Sequence, residues 1–237
     1  MPNKDIYKEA SRGFNRERYS HTKRSIEEQL RKTQGSQEEP LFKRSVNFVA
    51  AMLFREKLSA GIDKKTGLLN ESAFLQRLEA YMALADREEF SIPVFYIDFK
   101  KFKFINDHFG HDEGDKALRL FADIIKKLIR GYDLASRLGG DEFGIAEIYP
   151  TYPEEFKTPG MLIKEFDLEK SRIKGGPNLG LSIGYAVYYG NMNKPPGEIV
   201  KRAEIAMRNA KLAPGTSTVP WYEGIYNPSD IELDRDR

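Results

Sequence analysis

The 237-residue sequence contains no cysteine, and this absence removes a group of chemistries. Disulfide bonds, thiol nucleophiles and thiolate-bound metals are excluded, so only oxygen and imidazole ligands remain for a metal ion. Oxygen ligands favour a hard cation such as magnesium.

Long apolar runs are also missing. The longest, Val46 to Phe54 with Asn47 inside it, is far shorter than the roughly 20 residues that a membrane-spanning helix requires. Residues 1–13 carry charge where a secretory signal has an apolar stretch. We therefore expect a cytoplasmic protein without a membrane span.

A large excess of one charge is absent as well. The formal net charge is +2, so composition gives no support to a nucleic-acid partner held by a broad basic field. The length and the 40% hydrophobic content suffice for one globular domain with an extension. We expect an N-terminal helical arm for signalling or dimerisation over residues 1–60, one domain over residues 61–223 and an acidic C-terminal tail over residues 224–237.

The arm contains one helical stripe, from Leu41 to Leu58. Its apolar residues Phe42, Val46, Val49 and Leu53 are four, three and four positions apart, which predicts a single helix face that must be buried. That face packs either onto the domain itself or against a second subunit in a short coiled coil. A weaker alternative is that the basic arm binds a protein or an acidic surface.

Strands and helices alternate after residue 63. The predicted elements are a helix over Glu71 to Leu84, a strand over Ile92 to Phe99, a helix through Ala117 to Leu128, hairpin strands over Leu134 to Leu138 and Phe143 to Tyr149, a weak helical stretch near Met161 to Lys174, a strand over Leu179 to Tyr189, a helix over Glu198 to Leu212 and a closing strand over Val219 to Tyr222. Asp115 precedes the second of these helices as a possible cap.

This order is βαββαβ with additions. It predicts an α+β fold, an α/β sandwich in which an antiparallel sheet carries helices on one face. Ferredoxin-like folds and polymerase palms share this plan.

Three carboxylates are predicted to meet at one place. Asp98 lies near the end of an apolar strand, and Asp141 and Glu142 lie at the tip of a neighbouring hairpin. Such a cluster repels itself unless cations occupy it, and carboxylates bridged by magnesium can bind a triphosphate and activate a 3′-hydroxyl. Singly, each residue is an ordinary cap or solvated turn residue, but their joint spacing indicates nucleotidyl transfer.

The sequence DFKKFKFINDHFGHDEGD at residues 98–115, followed by RLGGDEF at residues 137–143, resembles the paired motifs of the GGDEF family of diguanylate cyclases. The resemblance covers about residues 60–222 and implies the ferredoxin-like palm of nucleotide cyclases. It extends to three further segments: DKKTGLLN at residues 63–70, SIG at residues 182–184 and AEIAMRNAK at residues 203–211.

The resemblance implies a metal site and a catalytic set. Asp98 and Asp141 would bind Mg²⁺ (or Mn²⁺) together with the backbone carbonyl of Phe99. Glu142 would be a second metal ligand or the general base. Lys103 completes the predicted catalytic set.

GTP is the implied substrate. Asn106 and Asp115 would recognise guanine, because an amide and a carboxylate match its O6 acceptor and its N1 and N2 donors in a way that adenine cannot copy. Lys103 and Lys211 would contact the β- and γ-phosphates, assisted by main-chain amides of residues 99–103. The other predicted substrate contacts are Phe99, Phe102, Gly139 and Gly140.

Cyclases of this family act as two domains face to face, each presenting one GTP so that each 3′-hydroxyl attacks the other α-phosphorus. The resemblance therefore implies a homodimer. Arg130 and Asp133, which precede Gly139 by a five-residue strand, resemble the family's RxxD inhibitory site for the product cyclic di-GMP. The alternative for this pair is an ordinary surface ion pair at a helix end.

The chain departs from the family pattern at several positions. Lys100 stands where the family usually has a second acidic residue, and Leu-Ala-Pro-Gly215 follows Lys211 where Gly and Arg are usual, so a phosphate-binding arginine is missing. Glu71 replaces the usual arginine after Asn70. The segment before Ser182 is short and is expected to lack the usual amphipathic helix.

Two functions remain in view. The first is a magnesium-dependent diguanylate cyclase that condenses two GTP into cyclic di-GMP, releases pyrophosphate and is inhibited by its product. The alternative is a catalytically degenerate GGDEF domain that binds GTP or cyclic di-GMP as a signalling module, which Lys100 and Gly215 favour.

Overall fold

A computed structural model describes residues 61–88, 90–149, 155–190 and 192–221. The predicted arm with its stripe from Leu41 to Leu58, and the predicted tail, lie outside the described residues. Within these ranges, no helix combines the length and apolar character that crossing a bilayer demands.

The described part of the chain forms six strands and five α-helices. In chain order they are β1 (Leu69–Asn70), α1 (Glu71–Glu88), β2 (Ser91–Lys100), α2 (Phe102–Phe109), α3 (His111–Leu128), β3 (Leu134–Gly139), β4 (Glu142–Ala146), α4 (Lys157–Glu169), β5 (Gly180–Tyr189), α5 (Pro196–Leu212) and β6 (Ser217–Pro220). Two short 3₁₀ turns, Lys170–Arg172 and Gly176–Asn178, connect α4 to β5.

One mixed sheet carries all six strands in the order β1-β3-β4-β2-β5-β6. Strand β2 lies near the centre and is antiparallel to both β4 and β5, whereas the outer strands β1 and β6 are parallel to their neighbours. The inner four strands have the ferredoxin-like order, so the predicted βαββαβ fold is confirmed. The closing strand also forms, at Ser217–Pro220.

Helices cover both faces of this sheet, so the expectation of helices on one face is wrong. Alternate residues of β2 belong to two separate cores. Val94 and Tyr96 pack with α1 and α5, while Phe95 and Ile97 pack with α2, α3 and α4. Nine of the ten residues of β2 are buried for this reason. Its continuous apolar run is the pattern expected of a strand covered on both sides.

Helix α3 begins four residues before Asp115, so Asp115 does not cap it. The residue before the helix is Gly110, whose φ of 85° reverses the chain direction between α2 and α3. Asp112 and Glu113 supply the negative charge that favours a helix N-terminus. Asp115 instead lies one turn inside α3, where its side chain is available for another contact.

Helix α4 forms in the segment that was expected to lack an amphipathic helix. Its apolar face consists of Leu162 and Phe166, four residues apart and both fully buried. The ring of Phe166 lies 5.4 Å from that of Phe99 and 5.5 Å from that of Phe121. Pro159 weakened the sequence signal but lies in the first helical turn, where proline is tolerated.

The entrance segment at residues 63–70 consists of a turn and a helix cap. The Asp63 carboxylate accepts hydrogen bonds from the backbone N–H and the hydroxyl of Thr66, at 2.9 and 2.7 Å. The Asn70 side chain accepts one from the backbone N–H of Ala73 at 2.9 Å and so caps α1.

The contact between α5 and the sheet depends on Gly184. A Cβ atom there would lie 1.9 Å from the backbone nitrogen of Met207 and 2.3 Å from the carbonyl oxygen of Ala203. The backbone of α5 therefore rests directly on β5.

Replacing Gly184 by alanine should lower the free energy of unfolding by roughly 1–3 kcal/mol, because the added methyl forces α5 away from the sheet. Urea unfolding of the two proteins measures this. The control is Gly160→Ala in α4, where an added Cβ meets no atom within 4 Å and the change should be neutral or slightly stabilising. Equal stability of Gly184→Ala and the parent protein would contradict the close packing.

Candidate nucleotide site

Asp98 is the buried acid of the sheet, with only 4% of its surface exposed. It lies opposite Glu142 of β4 on one side and opposite Ser182 of β5 on the other. Residues directly opposite each other on antiparallel strands share a face, so all three side chains are on the α5 side of the sheet. The Ser182 hydroxyl is buried there and has no hydrogen-bond partner.

The charge of Asp98 is balanced by Lys211 from the last turn of α5. The Lys211 Nζ lies 2.9 Å from Oδ2 of Asp98. Burial raises the pKa of Asp98 to about 6, and the charges of Asp141 and Glu142 add to this, while the ammonium of Lys211 opposes it. Lys211 is predicted from the sequence to contact the phosphates, and no sequence pattern indicated its bond to Asp98.

Asp141 lies at the tip of the β3–β4 hairpin, and burial raises its pKa as well. The tip is held by Arg137, whose Nε and Nη2 donate to the carbonyl oxygen of Gly140 at 2.9 and 2.6 Å. The same guanidinium lies 3.3 Å from Asp63. Gly139, Gly140 and Arg137 line a cleft of about 450 Å³ between the hairpin and the domain entrance.

The carboxylates of Asp98, Asp141 and Glu142 match the predicted metal site only in part. Within the described ranges, no three Asp, Glu or His side chains lie together at the spacing of metal ligands. The donors themselves fit magnesium, because they are hard oxygen atoms whose mutual repulsion and burial a bound cation would relieve. In this structure Lys211 provides that positive charge.

Phe99 and Phe102 have rings that belong to the core and not to an open site. The two rings stack with their centroids 5.6 Å apart. Their side chains stabilise the turn between β2 and α2, and only their main-chain groups are suited to a ligand. Lys101 in this turn has a φ of 62°, a left-handed conformation that is uncommon outside glycine. Lys103, in the first turn of α2, is exposed.

The structure brings the two predicted guanine-binding residues close together. Asn106 in α2 lies against Gly114 of α3, since a Cβ at Gly114 would be 2.0 Å from Oδ1 of Asn106. Asp115 follows Gly114 directly. Its carboxylate accepts a hydrogen bond from Nζ of Lys65 at 2.6 Å, a contact that nothing in the sequence pattern indicated.

The predicted product site has a different character from an ordinary surface ion pair. Asp133 is 8% exposed, and its Oδ2 accepts a hydrogen bond from the backbone N–H of Arg130 at 2.8 Å. The Arg130 guanidinium lies over the rings of Tyr149 and Tyr132, at 5.4 and 5.8 Å from their centroids. Burial, together with the nearby charge of Glu147, raises the pKa of Asp133 to about 8.

Two residues in the site were not singled out for the contacts they make. Tyr96 lies on β2 two residues before Asp98, and burial together with the nearby charge of Glu142 raises its pKa above the ordinary range. Lys100 was noted only as a departure from the family, but its Nζ donates to the carbonyl oxygens of Ala210 and Ala213 at 3.0 and 2.5 Å. The alternation of β2 carried this information, because residues 96, 98 and 100 share one face.

The fold and the arrangement of these side chains define a palm-type α+β domain with an acidic site at one end of its central strand. Residues 60–217 match the family model described as "Diguanylate cyclase, GGDEF domain". The match covers more than half of the chain, and the chain belongs to the GGDEF domain family.

Several known proteins are similar to this chain. The cyclic di-GMP phosphodiesterase PdeB of Shewanella oneidensis is 33% identical over 179 residues, which are 73% of this chain and 19% of that protein. The diguanylate cyclase DgcS of the same species is 42% identical over 94 residues, which are 39% of this chain and 32% of that protein. The solved GGDEF domain of YfiN (TpbB) from Pseudomonas aeruginosa has a TM-score of 0.57 at 29% identity and covers 65% of this chain and 97% of that one.

The chain spans less than half the length of the curated relatives it matches, at 19%, 46% and 32% of three of them. The family and the fold are therefore common to these proteins, while the relatives contain further sequence outside the match.

The raised pKa of Asp133 makes a pH prediction. Because its folded pKa of about 8 lies above the ordinary value of 3.8, the folded state binds the proton more tightly, and this contribution to stability is lost progressively as the pH rises from about 4 to about 8. Asp133→Asn removes the titration, so the variant should gain stability relative to the parent between pH 5 and pH 8.

Urea unfolding at a series of pH values tests this. Asp167→Asn on α4, which changes an exposed aspartate, should leave the pH dependence unaltered. Parallel stability profiles for Asp133→Asn and the parent protein would refute the proposed burial of a protonated carboxyl.

Proposed function

We propose that this chain is a diguanylate cyclase domain that condenses two GTP into cyclic di-GMP. The observation that carries the proposal is the acidic end of β2. A buried Asp98 lies opposite Glu142, is repelled by Asp141 and Glu142, and is balanced by Lys211. The resemblance to DgcS, whose name states this activity, supports the same conclusion.

The recognition of guanine is assigned to Asn106 and Asp115. The reversal of the chain at Gly110 places both on neighbouring turns of α2 and α3, and Gly114 leaves room for the amide. An amide and an ionised carboxylate pair with the O6, N1 and N2 of guanine, and adenine presents the opposite pattern. Lys65 holds the carboxylate in place before a ligand binds.

The triphosphate is assigned to the positive side chains around the same strand end. Lys103, exposed in the first turn of α2, and Lys211, at the end of α5, would contact the β- and γ-phosphates. The first amides of α2 have no partner within the helix and favour an anion. Gly139 and Gly140 allow the hairpin tip to approach the ligand closely.

Asp98, Asp141, Glu142 and the Phe99 carbonyl would hold Mg²⁺ or Mn²⁺. When bound, the metal polarises the phosphate and lowers the pKa of the attacking hydroxyl. Glu142 is placed to accept the 3′-hydroxyl proton or to act as a further ligand. Lys211 must then exchange Asp98 for a phosphate oxygen, which leaves the Asp98 carboxylate free for the cation.

The reaction needs two GTP molecules, so the proposal includes a homodimer in which each domain supplies one nucleotide. Each 3′-hydroxyl attacks the α-phosphorus of the other GTP, and each step releases pyrophosphate. Product inhibition through Arg130 and Asp133 belongs to the same proposal. The Arg130 guanidinium lies over the rings of Tyr149 and Tyr132, and its N–H groups would bind a phosphate or a guanine edge of the product.

Two departures from the family pattern favour a second function. Lys100 occupies the position where the family usually has an acid, and Gly215 stands where a phosphate-binding arginine is usual. A domain with fewer acidic ligands can bind GTP or cyclic di-GMP without converting it and act as a signalling module. The similarity to PdeB, whose name states a phosphodiesterase activity, is compatible with this alternative.

The double change Asp141→Ala and Glu142→Ala should abolish synthesis of cyclic di-GMP, because it removes the hairpin carboxylates. Product-stripped protein is incubated at high concentration with GTP and magnesium, and cyclic di-GMP is detected by mass spectrometry. The matched control is Asp167→Ala with Glu169→Ala on α4, on the opposite face of the sheet. Synthesis that persists in the Asp141/Glu142 variant would exclude this metal site, and a folded, dimeric parent protein without product would favour the binding module.

Asp115→Ala should reduce the preference for GTP over inosine triphosphate by about tenfold, because inosine lacks the 2-amino group that an aspartate binds. Equilibrium binding of both nucleotides measures this preference. Asp112→Ala, an exposed aspartate in the first turn of the same helix, is the control. An unchanged preference in Asp115→Ala would remove Asp115 from the guanine site.

A further inference from the structure

Lys100, which stands where the family usually has an acidic residue, binds the end of helix α5. Lys100 is the last residue of β2, and its Nζ donates to the carbonyl oxygens of Ala210 and Ala213 at 3.0 and 2.5 Å. Ala210 lies in the last turn of α5 and Ala213 is the residue that caps it. The ammonium therefore binds the C-terminal end of a helix, where the helix dipole favours a cation. The carbonyl oxygen of Ala210 also accepts hydrogen bonds from the Ala213 N–H and the Ser217 hydroxyl, so Lys100 is one of several donors at this helix end.

Lys211 lies between these two carbonyls. Its own Nζ is 2.9 Å from Asp98, which is two residues before Lys100 on the same face of β2. These contacts connect β2 and α5 at two points. Asp98 of β2 binds Lys211, and Lys100 of β2 binds the carbonyl oxygens of Ala210 and Ala213, which flank Lys211. These contacts tie the C-terminal end of α5 to the end of β2.

A carboxylate at position 100 cannot make this contact, because ionised acids only accept hydrogen bonds and backbone carbonyls also only accept. The usual acid at this position would require a cation between it and the helix end. Here position 215 provides none: Gly215 has a φ of 69°, which disfavours a side chain. With Lys at position 100 and Gly at position 215, the Lys100 ammonium is therefore a cation that holds this end of α5 directly.

We propose that Lys100 is a positioning residue of the triphosphate site, which holds the last turn of α5 so that Lys211 faces Asp98 and the bound phosphates. The inference rests on the proposed nucleotide site but not on turnover. It gives Lys100 a role in nucleotide binding whether or not the domain converts GTP.

A double-mutant cycle tests the proposal with 3′-deoxy-GTP and 3′-deoxy-GMP, which lack the attacking hydroxyl and are not converted. The proteins are the full chain and its variants Lys100→Met, Lys211→Met and the double variant. Lys100→Met should weaken binding of the triphosphate by about tenfold and leave binding of the monophosphate nearly unchanged, because only the β- and γ-phosphates meet Lys211. The double variant should bind no more weakly than Lys211→Met, since Lys100 acts through Lys211.

Two further variants serve as a conservative replacement and as a control. Lys100→Arg should recover most of the triphosphate affinity, because a guanidinium also donates to two carbonyls. Lys164→Met, an exposed lysine of α4, should bind both nucleotides as the parent protein does. Thermal unfolding identifies any variant that fails to fold, and Lys100→Gln replaces Lys100→Met in that case.

The outcomes separate this inference from the proposed function. Additive losses, or equal weakening of monophosphate and triphosphate by Lys100→Met, would overturn the positioning role while the nucleotide site stands. A parent protein that binds neither nucleotide would overturn both. Coupled losses in a protein that makes no cyclic di-GMP would support the positioning role and reject the cyclase.

Discussion

The burial of β2 on both faces is the constraint on which the rest of the domain depends. Side chains of this strand contribute to two separate cores, one formed with α1 and α5 and the other with α2, α3 and α4. A strand in this position has no solvent-facing side on which to place a charge. Asp98 is nevertheless there, and a buried carboxylate is costly unless a partner of opposite charge and hydrogen bonds compensate it. Lys211 is that partner, so the charge of one strand residue is compensated from the last turn of α5.

Two lysines at this end of the sheet each bind negatively charged or electron-rich oxygen atoms. Lys211 neutralises Asp98, and Lys100 binds the carbonyls at the helix terminus next to it. Breaking a buried pair by removing one partner is destabilising, because the remaining charge is left without compensation. An anionic ligand with its cation offers both charges a new partner at once. In the proposed function, this exchange would allow a site that is stable without a ligand to bind a triphosphate.

The β3–β4 hairpin connects two acidic groups in different surroundings. At its tip, Asp141 and Glu142 are partly exposed and lie beside the end of β2. Asp133 precedes the hairpin and Glu147 follows it, and both are buried close to Arg130. Burial raises the pKa of both members of this second pair, and it also raises that of Asp141 at the tip, although the tip residues are only partly buried. The paired strands β3 and β4 thus connect the predicted catalytic site at the tip of the hairpin to the predicted product site at its base.

Sequence periodicity predicted most of the elements because the apolar residues of a strand or helix must repeat with the period of its buried face. The helix at Pro196–Leu212 and the strand at Gly180–Tyr189 were found within two residues of their ends. Helix α4 was underestimated, since only Leu162 and Phe166 mark its buried face and both depend on Phe99 and Phe121 from distant parts of the chain. The same limit applies to the second layer of helices, because no local pattern states which face of a sheet a helix will cover.

The sequence by itself determined the family, the βαββαβ order of elements along the chain and the choice of candidate site residues, because these depend on residue types at fixed spacings along the chain. Only the tertiary structure decided how their charges are paired. Lys211 on Asp98, Lys65 on Asp115 and Lys100 on the end of α5 join residues that are 50 to 113 positions apart. Such pairs depend on distances and burial in the folded chain, and neither quantity can be read from the local order of the residues.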